Sequence, residues 1–184
     1  MNLTGKLLVA MPDMGDPRFS SAVIFMCSHS KNGAMGLTIN KTAGNYKFSD
    51  LLKQLKIEVH SNTPDVPVNI GGPVESGRGF VLHSSEYDSG EETLKIGSDY
   101  GMTASFEVLE DMSNGNGPVN GMLALGYSGW GPGQIEEEIA MNGWLSSEAS
   151  SELIFGSDNT NKWRNTLKLM GVDPIHLSTS AGRA

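Results

Sequence analysis

The chain has 184 residues, of which 38% are hydrophobic and 18% are charged, and its net charge is −8. This length and composition are typical of one soluble globular domain with a substantial core. The balance of 13 basic against 21 acidic residues disfavours direct nucleic-acid binding, because phosphate contacts need clustered Lys and Arg. No apolar run approaches the roughly 20 residues that a membrane span needs, so no membrane partner is expected.

The N-terminus predicts a strand and no targeting signal. The apolar run "KLLVA" at residues 6–10 indicates a strand that ends before Pro12. The segment has no basic start, and no apolar block followed by a small-residue cleavage site, so it does not resemble a signal peptide. The expected location is therefore the cytoplasm.

Two apolar runs around Asn32-Gly33 give the clearest local signal in the chain. Asn-Gly is favoured at the centre of a type I′ turn, so we predict an antiparallel hairpin of residues 22–30 and 34–40. The first run, "AVIFMC", is apolar without alternation, which indicates burial on both faces. Its Cys27, the only cysteine, is interpreted as a buried hydrophobe, since reactive thiols need an exposed, electropositive setting.

The middle of the chain predicts a helix followed by two strands. Apolar residues at helical spacing in "FSDLLKQLKI" predict a helix that begins near Phe48. "VPVNI" then indicates a strand at residues 67–70, followed by a Gly-rich turn at 71–79 and a strand at 79–83.

The segment "GGPVESGRGFVLH" supplies the first candidate binding residues. Its glycines allow a sharp turn, and an Arg beside exposed backbone amides is suited to a small anion or a carboxylate. The alternative is that Arg78 pairs with Glu75 or caps a backbone carbonyl. The candidates in this segment are Gly71, Gly72, Pro73, Arg78 and His83.

The second Gly-rich segment, "GYSGWGPGQIEEEI", follows the predicted strand "MLALGY" and leads into an acidic helix. A Gly-rich loop before a helix can bind phosphate, but carboxylates at Glu136–Glu138 would repel it here. One interpretation is a rigid corner with Trp130 in the core. The other is a pocket wall in which Tyr127, Trp130 and Gln134 offer stacking and hydrogen bonds to a ligand.

The whole pattern predicts an α+β fold in one domain. "ELIF" indicates a further strand, and a last helix is expected near residues 161–170. Seven or eight short strands with three to four helices, not regularly alternating, argue against a doubly wound sheet. The 23 glycines suit a mixed, strongly bent, barrel-like sheet. The domain is expected to span residues 1–173, with a flexible tail at 174–184.

Signals for catalysis, metals and cofactors are weak. Cys27 and His29 are two apart on a predicted strand, so their side chains are expected on one face, which is a pattern that also arises by chance. The four histidines form no HxH or HExxH arrangement, so no metal site is predicted. No catalytic residue and no cofactor is assigned.

The segments "LLVAMPDMGDPRFSSAVIFMCSHSKNGAMGLTIN", "IGGPVESGRGFVLH" and "LALGYSGWGPGQIEEEIAMNGWL" together resemble the bacterial AlgH/YqgE family. The resemblance runs from Leu7 to about Gly171 in the family's order, and Ile135 replaces a leucine that is usual there. It implies a compact α+β domain with a mixed, barrel-like sheet in a cytosolic bacterial protein. It implies no known reaction, since the family is largely of unknown function and its transcriptional-regulator label comes from an association with alginate production.

We therefore predict a non-enzymatic binding or regulatory protein that recognises a small ligand or a protein partner through the two Gly-rich segments. Any influence on transcription is expected to be indirect, because the sequence has no helix-turn-helix pattern and no basic patch. The alternative is an enzyme that acts on a small anionic substrate with Arg78 and His83 at the site. No particular oligomeric state is predicted.

Overall fold

The computed structural model describes residues 2–12, 14–174 and 177. Within these residues the strands are β1 (Lys6–Ala10), β2 (Val23–Ser30), β3 (Gly33–Thr38), β4 (Thr42–Lys47), β5 (Pro67–Ile70), β6 (Val74–Ser84), β7 (Thr93–Ile96), β8 (Tyr100–Thr103), β9 (Gly121–Trp130) and β10 (Trp144–Glu148). The α-helices are α1 (Phe48–Leu55), α2 (Phe106–Asn114), α3 (Gln134–Ala140), α4 (Ser151–Phe155) and α5 (Lys162–Leu169). Short 3-10 helices lie at Pro17–Phe19 and Gly90–Glu92. The predicted tail lies outside the described residues except for Pro174 and Leu177.

The α+β class is confirmed, with more strands and helices than the sequence predicted. Eight strands form one path in the order β10-β1-β2-β3-β9-β6-β8-β7. β5 pairs in parallel with β9 and antiparallel with β4, so the sheet is mixed. The sheet is strongly curved. Phe25 of β2 and Tyr100 of β8 meet edge to face with ring centroids 5.2 Å apart, although three strands, β3, β9 and β6, separate β2 from β8 along the sheet.

β2 is buried on both faces, as its unbroken apolar run predicted. Phe25 and Cys27 belong to the core inside the curl, while Ile24 and Met26 belong to a second core on the opposite face. A third core lies where α1 and α2 cover β5, β6 and β9.

The expectation that Cys27 and His29 share a face is wrong. A register shift between Met26 and Ser28 inserts one extra residue into β2 and reverses the alternation beyond it. The ring of His29 consequently lies on the side of the second core, where its Nδ1 accepts from the Leu3 amide at 3.1 Å.

The predicted hairpin is present as β2 and β3, but its turn is placed differently. Ser30 pairs with Gly33, so Lys31 and Asn32 form the turn, and Asn32 does not take a positive φ. Gly33 does take a positive φ, of 129°, and a Cβ at this position would also collide with the carbonyl oxygen of Trp130 on the neighbouring strand β9.

The first Gly-rich segment is strand over most of its length, whereas the second is strand only as far as Trp130 and helix from Gln134 onward. β6 begins at Val74, which pairs with Tyr127, and β9 continues through its glycines to Trp130. The prediction of a strand at "ELIF" is also wrong, because these residues form α4. The Ser150 hydroxyl caps this helix by accepting from the Leu153 amide at 3.3 Å.

In the part of the chain that the structure describes, no helix combines the length and apolarity needed to cross a bilayer.

Candidate functional site

The two Gly-rich segments meet backbone to backbone. The Gly71 amide donates to the carbonyl of Leu125 at 2.8 Å. A Cβ on Gly72 would overlap the carbonyl carbon of Tyr127 and the amide nitrogen of Ser128, so only glycine allows this approach. The contact fixes the start of β6 against the end of β9.

Three of the predicted site residues, Pro73, Trp130 and Gln134, line one cleft beside this contact. We call it the aromatic cleft. It is also lined by Phe19 from the first 3-10 helix, by Glu138 from α3 and by Trp144 from β10. Its volume is about 480 Å³, which lies within the range of small-molecule sites.

The Glu138 carboxylate organises the cleft. Its Oε2 accepts from the indole Nε1 of Trp130 at 3.0 Å and from that of Trp144 at 2.8 Å. Its Oε1 accepts from Gln134 Nε2 at 2.9 Å, and Gln134 Oε1 in turn accepts from the Gly131 amide at 3.0 Å. Two carboxylate oxygens offer about four acceptor positions, so roughly one remains for a further donor.

The aromatic rings of the cleft are held by the second core. Trp130 and Trp144 are 7% and 2% exposed and meet nearly perpendicularly with centroids 6.1 Å apart. Phe19 packs on Trp144 edge to face at 5.5 Å. Trp130 is thus both fixed in the core, as the rigid-corner interpretation predicted, and part of a cleft wall.

Charges at the mouth of the cleft are paired. Arg18 Nε donates to both carboxylate oxygens of Asp16 at 3.0 Å. A further pair lies outside the cleft lining, where Glu136 Oε1 on α3 accepts from His29 Nε2 at 2.8 Å. A hydrogen bond from its own backbone amide and this one from His29 lower the pKa of the Glu136 carboxyl.

Tyr127 does not join Trp130 in the aromatic cleft. β9 remains extended between them, and residues three apart on a strand point to opposite faces. Tyr127 packs on Phe80 at 5.7 Å and lines a separate depression together with Arg78. There Arg78 Nη1 donates to Glu75 at 3.1 Å, which is the alternative that the sequence left open.

His83 lies far from solvent, at 0% exposure. Its Nδ1 donates to the carbonyl of Ser84 at 3.0 Å, so in the neutral ring Nε2 accepts from the Thr103 hydroxyl at 2.9 Å. Cys27 is equally enclosed, and burial raises the pKa of its thiol to about 12. Neither residue is placed for chemistry on a bound substrate.

Comparison with known proteins gives the family. A family model described as AlgH-like matches residues 7–175. The chain belongs to the AlgH-like family. Among relatives, the UPF0301 protein of Paracoccus denitrificans is 52% identical over 100% of this chain and 97% of its own length, and that of Ruegeria pomeroyi is 53% identical over 100% of both.

Solved structures agree with this AlgH-like assignment. The solution structure of AlgH from Pseudomonas aeruginosa is 35% identical, covers 100% of this chain and 97% of its own, and has a TM-score of 0.81. A protein from Corynebacterium diphtheriae is 18% identical over 96% and 92% of the two chains, with a TM-score of 0.76, and shows a shared fold. The predicted resemblance to AlgH is confirmed.

Sequence reasoning missed Glu138, Trp144 and Phe19 as cleft residues of this AlgH-like chain. Glu138 was interpreted as one of three carboxylates that would repel a phosphate, although its position four residues after Gln134 places both on one side of a helix. Trp144 and Phe19 come from distant elements, and no local pattern connects them to Trp130.

Proposed function

We propose that this protein is a non-enzymatic, cytosolic binding protein that recognises a small ligand or a protein partner through the aromatic cleft. The two Gly-rich segments form the scaffold of this cleft, since Pro73 and Trp130 reach it from their meeting point. An influence on transcription would be indirect, because the net charge of −8 disfavours direct DNA contact.

The observation that carries the proposal is the Glu138 network. Two buried indoles and one amide are fixed by a single carboxylate at the floor of an open cleft, so the surface that a ligand would meet is organised in advance. The spare acceptor position of Glu138 and the surrounding rings suit a ligand with an apolar or aromatic body and at least one hydrogen-bond donor.

The enzymatic alternative has little support in the geometry. It requires Arg78 to bind an anionic substrate and His83 to act on it, but His83 is enclosed and both of its ring nitrogens are bonded. Cys27 offers no replacement nucleophile, since a thiol with a pKa of about 12 carries almost no thiolate near neutral pH.

Native mass spectrometry of the protein, purified gently from its own bacterium, tests the proposal beside a denatured sample. We expect an adduct that is lost on denaturation and weakened by Gln134→Ala, which removes an exposed lining residue. Trp163→Phe is the matched control and should retain the adduct, because Trp163 bonds the Ala10 carbonyl outside the cleft. Bare protein, or an adduct indifferent to Gln134→Ala, would contradict the proposal.

A further inference from the structure

A second groove lies between α1, α2 and β6, and it shares no lining residue with the aromatic cleft. We call it the Arg78 groove. Its walls are mainly leucines, namely Leu51, Leu55, Leu109 and Leu125, and its volume is about 380 Å³. Gly77 and Gly79 border it without side chains, and around Gly77 there is open space.

Phe106 stands at the edge of this groove with 63% of its surface exposed. Leu109, one turn later on α2, is 7% exposed and packs in the third core. The apolar surface of the third core therefore extends along the groove to the exposed ring of Phe106. An apolar ligand that covered this ring would be stabilised by the hydrophobic effect.

Ser105 supplies an unpartnered polar group to the same groove. Its hydroxyl oxygen is buried and has no hydrogen-bond partner among the described residues. Ser105 is also the N-cap residue of α2, yet its side chain does not cap the helix. Buried hydroxyls are normally bonded, and the first amides of a helix favour a negative charge, so this end of the groove suits an anionic acceptor.

Arg78 provides the positive charge. Its guanidinium is held over the Phe80 ring at 5.2 Å from the centroid, and Nη1 bonds Glu75, which leaves most of its N–H groups for another acceptor. Four carboxylates lie near this region: Glu75, Glu91 and Glu92 line the neighbouring depression with Arg78, and Glu107 lies in the first turn of α2. Glu75 is taken by Arg78, and Glu107 accepts from the Ser89 hydroxyl at 3.0 Å.

We infer that the Arg78 groove binds a small carboxylate with an apolar chain, whose carboxylate meets Arg78 and the Ser105 hydroxyl while its chain lies along the leucines. Arg is suited to this role because its fork matches a carboxylate with two parallel hydrogen bonds. The site is additional to the aromatic cleft and does not depend on the function proposed for it.

Titration of the isotopically labelled protein with octanoate, followed by backbone amide NMR, tests this inference. Saturable shifts are expected at Gly77, Gly79 and the first turn of α2. Octanol and octylammonium have the same chain without the negative charge, and both should bind at least about tenfold more weakly. Arg78→Ala should weaken octanoate by about tenfold or more and leave octanol unchanged, with Arg78→Lys between the two.

Arg78 is largely exposed, so its variants should remain folded. Gln134→Ala, in the aromatic cleft, should leave octanoate binding unchanged, which separates this site from the one proposed above. Equal affinities for octanoate and octanol, the absence of a saturable shift, or shifts centred on Trp130 would each overturn the inference.

Discussion

The aromatic cleft and the Arg78 groove differ in how their polar groups are satisfied. In the cleft, Glu138 accepts three hydrogen bonds and thereby fixes two tryptophans. In the groove, the buried hydroxyl of Ser105 has no partner among the described residues. A completed network stabilises the free protein, whereas an unpartnered group favours the bound state, so the two sites should respond oppositely to loss of their polar atoms.

The largest effect is expected from Gly72→Ala, which disrupts the backbone contact beside the aromatic cleft. The new Cβ would overlap the backbone of Tyr127 and Ser128, so β6 and β9 would have to separate. We expect a loss of at least about 3 kcal/mol in the free energy of unfolding, measured by urea denaturation. The control is Gly77→Ala, whose Cβ has nothing within 4 Å and should change stability little. Equal effects would show that the backbone contact is unimportant.

Glu138→Ala tests the network of the aromatic cleft. The change leaves the indole N–H groups of Trp130 and Trp144 without their acceptor, and we expect a loss of about 2–4 kcal/mol in urea denaturation. Glu138→Gln should lose less, because its amide oxygen still accepts. Glu137→Ala, one residue away and exposed, should remain within about 0.5 kcal/mol of the parent. A neutral Glu138→Ala would mean that the network does not stabilise the fold.

Lys162 is a third kind of buried polar group. Its amine is hydrogen-bonded, but burial disfavours its positive charge. Its Nζ donates to the carbonyls of Ile39 and Ile154 at 3.0 and 2.9 Å, and burial lowers its pKa from 10.5 to about 8. Between these pH values the unfolded chain binds more protons than the folded one, so the free energy of unfolding should rise with pH across this window. Urea denaturation at pH 8 and at pH 10.5 measures this rise.

The comparison variant Lys162→Met should flatten that rise, since it removes the titrating amine. The exposed Lys168→Met should retain it, because Lys168 lies on the solvent side of α5. A pH profile that Lys162→Met leaves unaltered would place the titration elsewhere in the molecule.

The smallest effect is expected at Ser105. Ser105→Ala removes a buried hydroxyl that bonds nothing among the described residues, so it should be neutral or stabilise the protein by up to about 1 kcal/mol. Ser113→Ala is the contrasting variant, because the hydroxyl of the buried Ser113 donates to the Glu58 carbonyl, and its loss should destabilise. If both variants destabilised alike in thermal denaturation, Ser105 would already have a partner in the free protein.

Local patterns in the sequence predicted the parts of the fold that depend on local interactions. The β2–β3 hairpin, α1 and α5 follow from turn residues and apolar spacing within each segment. "ELIF" was misassigned because its apolar residues favour a strand, while the Ser150 cap turns the chain into a helix. Residues 74–79 were predicted as part of a turn, but they belong to β6, which pairs with the distant strand β9.

The candidate site was predictable only in part. Pro73, Trp130 and Gln134 were named as candidates in two separate segments, but the sequence did not show whether these segments meet, and it is the fold that brings the three residues to one cleft. Tyr127 was grouped with them on the assumption of a loop, and the extended backbone of β9 sends it to the other face. Trp144 reaches the cleft only through β10, which pairs with β1 at the far end of the sheet path.

The indole N–H signals of the three tryptophans test the central claim most directly. In the labelled protein, Trp130 and Trp144 report on the aromatic cleft, and Trp163 serves as an internal control because it bonds the Ala10 carbonyl. When the small-molecule extract of the host bacterium is added, the account predicts that the first two signals shift together and saturably while that of Trp163 stays fixed. Three unchanged signals, or three that shift alike, would contradict a ligand-binding role for the cleft.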